Sequence, residues 1–303
     1  MTTTETAPPA YDKGARQQLE ALAQGMRHVE VEMTDDVEAI LDTLIYDRSC
    51  AYTNPVLFGA DGRLKQTYSS ARDGIREAYL SWHGEVGLRR FEPMSCISSS
   101  WYSFYHALVT VAPLKDDPRR PVRLQGTAGY ASDVIVIFPT MGRDAITGEL
   151  YWARRMDRSR GDPVEIPSAM TARRRSELGQ RHAAYVKALR KADVDSLMTF
   201  YADDVQHGMR DYVADSGTIL SSDGAAQLRS KYEQFFATFE PESIDVLQFQ
   251  AGDWYFFSEQ SWAVRDKRNG RRYGFRTVEY QDIETPDGRR FAHVGHGTDL
   301  REL

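Results

Sequence analysis

Histidines, tyrosines and one asparagine carry most of the chemistry this chain could do. His207 lies in FYADDVQHGM, residues 200–209, which alternates like a strand. Successive strand side chains point to opposite faces, so His207 and Met209 share one. His296 sits in FAHVGHGTDLREL, residues 291–303, and Tyr185 lies on a helical stripe with Ala184, Ala188 and Leu189. An imidazole titrates near neutrality and so can move protons. A phenol can donate to a developing oxyanion, best in a dry pocket. In the first half Tyr52 and Asn54 are two apart in IYDRSCAYTN, residues 45–54, and share a face that could hold an oxygen. His106 lies in the strand-like YHALVTV, and Asp133 reads as a strand-edge charge before VIVIF. Tyr52, Asn54, His106, Tyr185, His207 and His296 form the candidate catalytic set.

Other chemistries lack their residues. His293 and His296 are three apart and should face opposite ways unless a bulge at Gly295 or Gly297 intervenes. A zinc site needs three or four converging ligands, and no spacing offers them. No glycine-rich phosphate loop appears, so neither a metal nor a cofactor is expected. The net charge is -6, and the pairs Arg119-Arg120, Arg271-Arg272 and Arg289-Arg290 sit in turn-like contexts. A nucleic-acid partner is therefore not expected. The two cysteines, Cys50 and Cys96, are expected to be buried thiols rather than a disulfide scaffold. The start, MTTTETAPPAYDKGAR, has no basic, apolar leader, and the longest apolar run, VIVIF, is too short to span a bilayer. A cytoplasmic protein with no membrane partner is the expectation; a homo-oligomer is left open.

The elements that must position these residues come twice. A helical stretch, DDVEAILDTL or DVDSLMTF, precedes IYDRSCAYTN and FYADDVQHGM in turn. A polar loop follows each, then Asp-Gly opening another helix at Asp73 and Asp223, then long strand-like segments. Such an internal repeat implies two similar α+β domains in the 303 residues, each with about three helices on a curved, mainly antiparallel sheet. Residues 1–11 read as a tail, 12–158 as the first domain, 159–167 as a linker and 168–303 as the second domain.

This order resembles the nuclear transport factor 2-like superfamily, with its ketosteroid isomerases, SnoaL-like polyketide cyclases and limonene epoxide hydrolase. AAYVKALRKADVDSLMTFYADDV, residues 183–205, and the closing FAHVGHGTDLREL carry the resemblance in the second half; IYDRSCAYTNP carries it in the first. It implies a cone with an apolar pocket in each domain. In the isomerases a tyrosine of the first helix serves an oxyanion, and Tyr185, eight residues before Asp193, takes that place. The isomerase base slot holds Met209 and Asn54, neither a carboxylate, so the usual isomerase route is not implied. Tyr52 and Asn54 resemble the water-holding pair of limonene epoxide hydrolase, but its Asp-Arg-Asp set is replaced by His106, Leu108 and Thr110. His296 lies close to where that enzyme places an aspartate.

The reading is a cofactor-independent acid/base enzyme, a lyase, dehydratase or isomerase, acting on an apolar or aromatic small molecule. Its alternatives are an epoxide hydrolase or cyclase of the tandem polyether type, and a non-catalytic binding or assembly module. The divergent base slots suggest that one cone is catalytic and the other mainly structural.

Overall fold

A computed structural model describes residues 14–53, 67–83, 86–113, 130–155, 168–283 and 290–303. The chain divides into two compact units, residues 1–163 and 164–303. The expected tail, the expected linker and Asn54 lie outside the described residues.

The first unit runs α1 (Ala15–Glu32), α2 (Val37–Leu41), β1 (Ala51–Thr53), β2 (Tyr68–Ser69), α3 (Arg72–His83), β3 (Val86–Ser99), β4 (Tyr102–Pro113), β5 (Tyr130–Pro139) and β6 (Gly148–Arg155). Its sheet has the order β2-β1-β6-β5-β4-β3, with β1 and β6 parallel and the other neighbours antiparallel. The second runs α4 (Ser168–Arg190), α5 (Val194–Met198), β7 (Tyr201–Arg210), β8 (Ile219–Asp223), α6 (Ala225–Thr238), β9 (Phe239–Ala251), β10 (Tyr255–Asp266), β11 (Arg272–Asp282), β12 (Arg290–Gly297) and β13 (Arg301–Glu302). Its sheet order, β8-β7-β12-β11-β10-β9, repeats the first one strand for strand, again with one parallel pair, β7 and β12. The two Asp-Gly helices, α3 and α6, follow equivalent hairpins. The fold is α+β in two tandem copies.

Local chemistry explains the matched starts. The carboxylates of Asp36 and Asp193 cap α2 and α5, accepting from Ala39 N at 3.1 Å and Ser196 N at 3.0 Å. Each satisfies an otherwise orphaned N–H of a first turn. Helix α1 buries Ala21, Gly25, His28, Val29 and Glu32, one stripe at helical spacing. A Cβ on Gly25 would lie 2.7 Å from Ser103 Oγ and 2.9 Å from the Phe138 ring, so glycine lets α1 press against the sheet. The core of the first unit takes Tyr105 and Val111 from β4 and Val134, Val136 and Phe138 from β5. That parity fixes which strand residues face the helices.

Cys50 is buried as expected, but Cys96 is exposed on β3. Cys96 is in register with the core residue Tyr105, but β3 is the edge strand of the sheet. Among the described residues no helix is long and apolar enough to cross a membrane.

Candidate active site

The second unit holds a cavity of about 100 Å³ between α4, α6 and the inner face of its sheet. Apolar side chains dominate its wall: Leu189, Met209, Leu228, Phe235, Phe236, Trp262 and Phe275. Among them stand Tyr185, His207, Lys231, Tyr232, Glu279 and His293.

These polar groups form a directed chain. Tyr185 Oη lies 3.3 Å from Tyr232 Oη, which lies 2.7 Å from Tyr201 Oη. Tyr201 Oη is 2.9 Å from His293 Nδ1, and His293 Nε2 is 2.9 Å from Glu279 Oε2. The other carboxylate oxygen accepts from Gln281 at 2.9 Å and Gln260 at 3.0 Å. A carboxylate only accepts, so His293 Nε2 carries hydrogen toward it. In the neutral ring Nδ1 then accepts from Tyr201, Tyr201 from Tyr232, and Tyr232 from Tyr185. The last link is the longest, well beyond the usual 2.7–2.8 Å of an O–H···O bond. Tyr185 therefore holds the hydroxyl hydrogen most readily turned toward a ligand.

His207 faces the same cavity, its ring 4.9 Å from that of His293 and nearly perpendicular to it. The strands put them side by side, since His207 on β7 pairs with His293 on β12. His207 Nδ1 is buried and has no hydrogen-bond partner. Burial, then the neighbouring His293 and Lys231, hold the His207 pKa well below its ordinary value, so the ring is neutral at physiological pH. The Lys231 ammonium, on α6, is lowered to about 8, mainly by burial. Tyr232 is raised well above a free phenol, by burial and then by Tyr201, and stays protonated.

Of the six sequence candidates, the structure brings Tyr185 and His207 together. Two others are placed elsewhere. His296 is fully buried but pairs with Val278 on the opposite face of the sheet. The β11–β12 pairing runs without a bulge, so strand parity holds and His293, not His296, faces the cavity. His106 shares a face with Asp133, its Nε2 2.6 Å from Asp133 Oδ1, opposite the face where Tyr105 and Val111 meet the helices. Asp133 is thus the partner of an imidazole.

Tyr52 does face the interior of the first unit, its ring 5.1 Å from that of Tyr79. Around them is a cluster of residues outside the six sequence candidates. His28 and Glu32 come from α1, Tyr79 from α3 and Glu149 from β6. Tyr79 Oη donates to Glu32 Oε1 at 2.6 Å and lies 3.1 Å from His28 Nε2 and 3.4 Å from Glu149 Oε2. Burial and then Glu149 push Glu32 up to about 8. Burial works against the charged form of His28, but Glu32 and Glu149 outweigh it and raise its pKa. A signal for His28 existed: it lies eight residues before the capping Asp36, as Tyr185 does before Asp193. The pair Tyr52 and Glu149, in register across β1 and β6, stands where His207 and His293 stand in the second unit.

No protein-family model and no curated protein matches the sequence. Among solved structures the chain is similar to a Mycobacterium tuberculosis epoxide hydrolase of the limonene type, at 14% identity and TM-score 0.34 over 41% of this chain and 84% of that one. It is similar to a ketosteroid isomerase-like protein of Erwinia carotovora atroseptica, at 14% identity and TM-score 0.32 over 39% and 91%. It is also similar to the epoxide hydrolase/cyclase-like enzyme with a role in pyran ring formation in the polyether salinomycin, at 16% identity and TM-score 0.35 over 42% and 97%. Each match spans about the length of one unit of this chain.

Proposed function

We propose that the second unit is catalytic and performs cofactor-independent acid/base chemistry on a small apolar or aromatic molecule bearing an oxygen. The reaction class is lyase, dehydratase or isomerase. The observation that carries this reading is the buried, partnerless Nδ1 of His207 in a cavity with a mainly apolar wall. An orphaned buried polar atom costs about 1–3 kcal/mol, which a ligand group hydrogen-bonded there would offset.

The geometry supports a division of labour. Neutral His207 takes a proton from carbon next to a carbonyl, or from a hydroxyl. Tyr185 turns its hydrogen onto the substrate oxygen as negative charge develops there. Tyr232, Tyr201, His293 and Glu279 orient Tyr185 and hold the chain's polarity. The proton on His207 then returns to another carbon, completing an isomerisation, or goes to a departing hydroxide, completing a dehydration. Apolar walls keep water out and strengthen each of these interactions.

The test is deuterium uptake from D2O into a panel of small aryl and cyclic ketones, followed by NMR. His207→Ala and Tyr185→Phe should each lower kcat by about 10²-fold or more. His106→Ala, on the other face of the other sheet, should not. If folded His207→Ala and Tyr185→Phe keep wild-type rates, this active site is wrong. If the wild type binds ketones in the cavity but exchanges none, the binding-module reading replaces the enzyme.

A further inference from the structure

The buried His28, Glu32 and Glu149 of the first unit pose a problem of charge and hydrogen. Thr43 Oγ1 spends its own hydrogen on Ile40 O, 2.6 Å away, so it accepts from His28 Nδ1. That bond fixes the tautomer: in the neutral ring the Nε2 lone pair faces Tyr79 Oη, 3.1 Å away, and the two carboxylates behind it. Glu32 Oε1 lies 3.6 Å and Glu149 Oε2 3.5 Å from Nε2. Both are too long for N–H···O hydrogen bonds, which run 2.7–3.2 Å. A tetrahedral ion with bonds of about 2.0–2.2 Å sets its ligand atoms about 3.3–3.6 Å apart. The potential ligand atoms of all three residues lie within 4.8 Å of one another, and all three residues are buried. A histidine whose second nitrogen donates to an oxygen is also the usual arrangement around a protein-bound metal.

We propose that His28 Nε2, Glu32 Oε1 and Glu149 Oε2 form a tetrahedral divalent-metal site of the zinc class, with a water in the fourth position and Tyr79 Oη, hydrogen-bonded to Glu32 Oε1 at 2.6 Å, holding that ligand from outside. Two carboxylates neutralise the ion, and the N/O donor set with short mutual distances favours a small transition-metal ion over calcium, which takes six to eight oxygens. The His28 side chain is fully buried, whereas those of Glu32 and Glu149 keep 9% and 11% of their surface exposed, so entry is from the carboxylate side. The site revises the sequence expectation of no converging ligand set, because its ligands come from the first helix and the last strand of the unit. It is independent of the chemistry proposed for the second unit.

The experiment is calorimetric titration of the chelator-treated full chain with Zn2+, repeated with Co2+ to read the visible absorption of a tetrahedral site. One equivalent should bind, with the intense visible bands of four-coordinate Co2+. Glu149→Gln and His28→Ala should abolish both, and Thr43→Val should weaken binding about 10–100-fold by freeing the histidine tautomer. His106→Ala should bind as the wild type does. Because His28→Ala leaves a hole, the near-isosteric Glu149→Gln, checked for folding by circular dichroism, carries the decision. No saturable Zn2+ binding, or binding unchanged in folded Glu149→Gln, overturns the proposal and leaves the cluster as a proton-sharing hydrogen-bond network.

Discussion

Removing the Glu279 carboxylate should cost the second unit far more than a single lost contact. Glu279 is 2% exposed and is the acceptor on which four buried donors converge: His293 Nε2, Gln260 Nε2, Gln281 Nε2 and Ser258 Oγ. Gln260 keeps Ser258 Oγ at 3.2 Å as a second acceptor and the Ser258 hydroxyl is free to rotate, so His293 and Gln281 are the two donors fully orphaned in Glu279→Ala. At about 1–3 kcal/mol for each orphan the loss is roughly 2–6 kcal/mol. We take about 4 kcal/mol. At roughly 2–4 °C per kcal/mol, the transition of this unit should fall by roughly 8–16 °C. Glu279→Gln keeps the volume and one acceptor and should lose about 1–2 kcal/mol. Thermal and urea unfolding followed by circular dichroism measure the loss, and amide exchange in β11 and β12 assigns it to this unit. A Glu279→Ala transition within 2 °C of wild type would refute the reasoning, showing that these donors find water or each other at little cost.

Four further outcomes are expected. Because the folded His207 pKa lies below its unfolded value of 6.5, protonation favours unfolding. The stability that neutral His207 contributes is full above pH 6.5 and declines as pH falls below it, so the Tm of His207→Leu should depend less on pH in that range than wild type. In Lys231→Met the removal of a neighbouring cation should raise the His207 pKa, read from its ring resonances by NMR. Chelation should leave ketone exchange by the second unit unchanged while lowering the Tm of the first; parallel loss of both would contradict their independence. In Gly148→Ala a new Cβ would collide with Ala51 O, forcing β1 and β6 apart. Unfolding of the first unit should ease by about 1–3 kcal/mol or more, and Zn2+ binding should weaken with it.

The fold was largely legible because its markers are local. Capping aspartates, Asp-Gly helix starts and alternating strands recur in the same order in both halves, and Tyr52 and His207 were already in equivalent register. The site was legible only as far as parity could be read. His207 and Tyr185 sit on elements whose inner faces the apolar stripe and the strand alternation define. His293 and His296 were separable only by knowing whether Gly295 and Gly297 introduced a bulge, and the regular pairing with β11 shows that they do not. His106 was misplaced because both faces of β4 carry apolar neighbours: Phe104 is fully buried on the face opposite Tyr105. Glu149 could not be read as a partner of His28, since nothing local in GELYWARR says that this strand lies beside β1.

The parallel pairing of β1 with β6 and of β7 with β12 has a consequence for synthesis. In each unit the strand next to the first is the last long strand to leave the ribosome, and it lies in the middle of the sheet, not at its edge. The growing chain must therefore hold a gap open between β1 and β5, and later between β7 and β11, until the closing strand arrives. Such long-range closure makes for slow folding and leaves unpaired strand edges exposed meanwhile. Tyr52 with Glu149, and His207 with His293, straddle that final seam. Each half thus gains its chemical groups in the same step that completes its sheet, and a nascent chain stopped before that step carries neither.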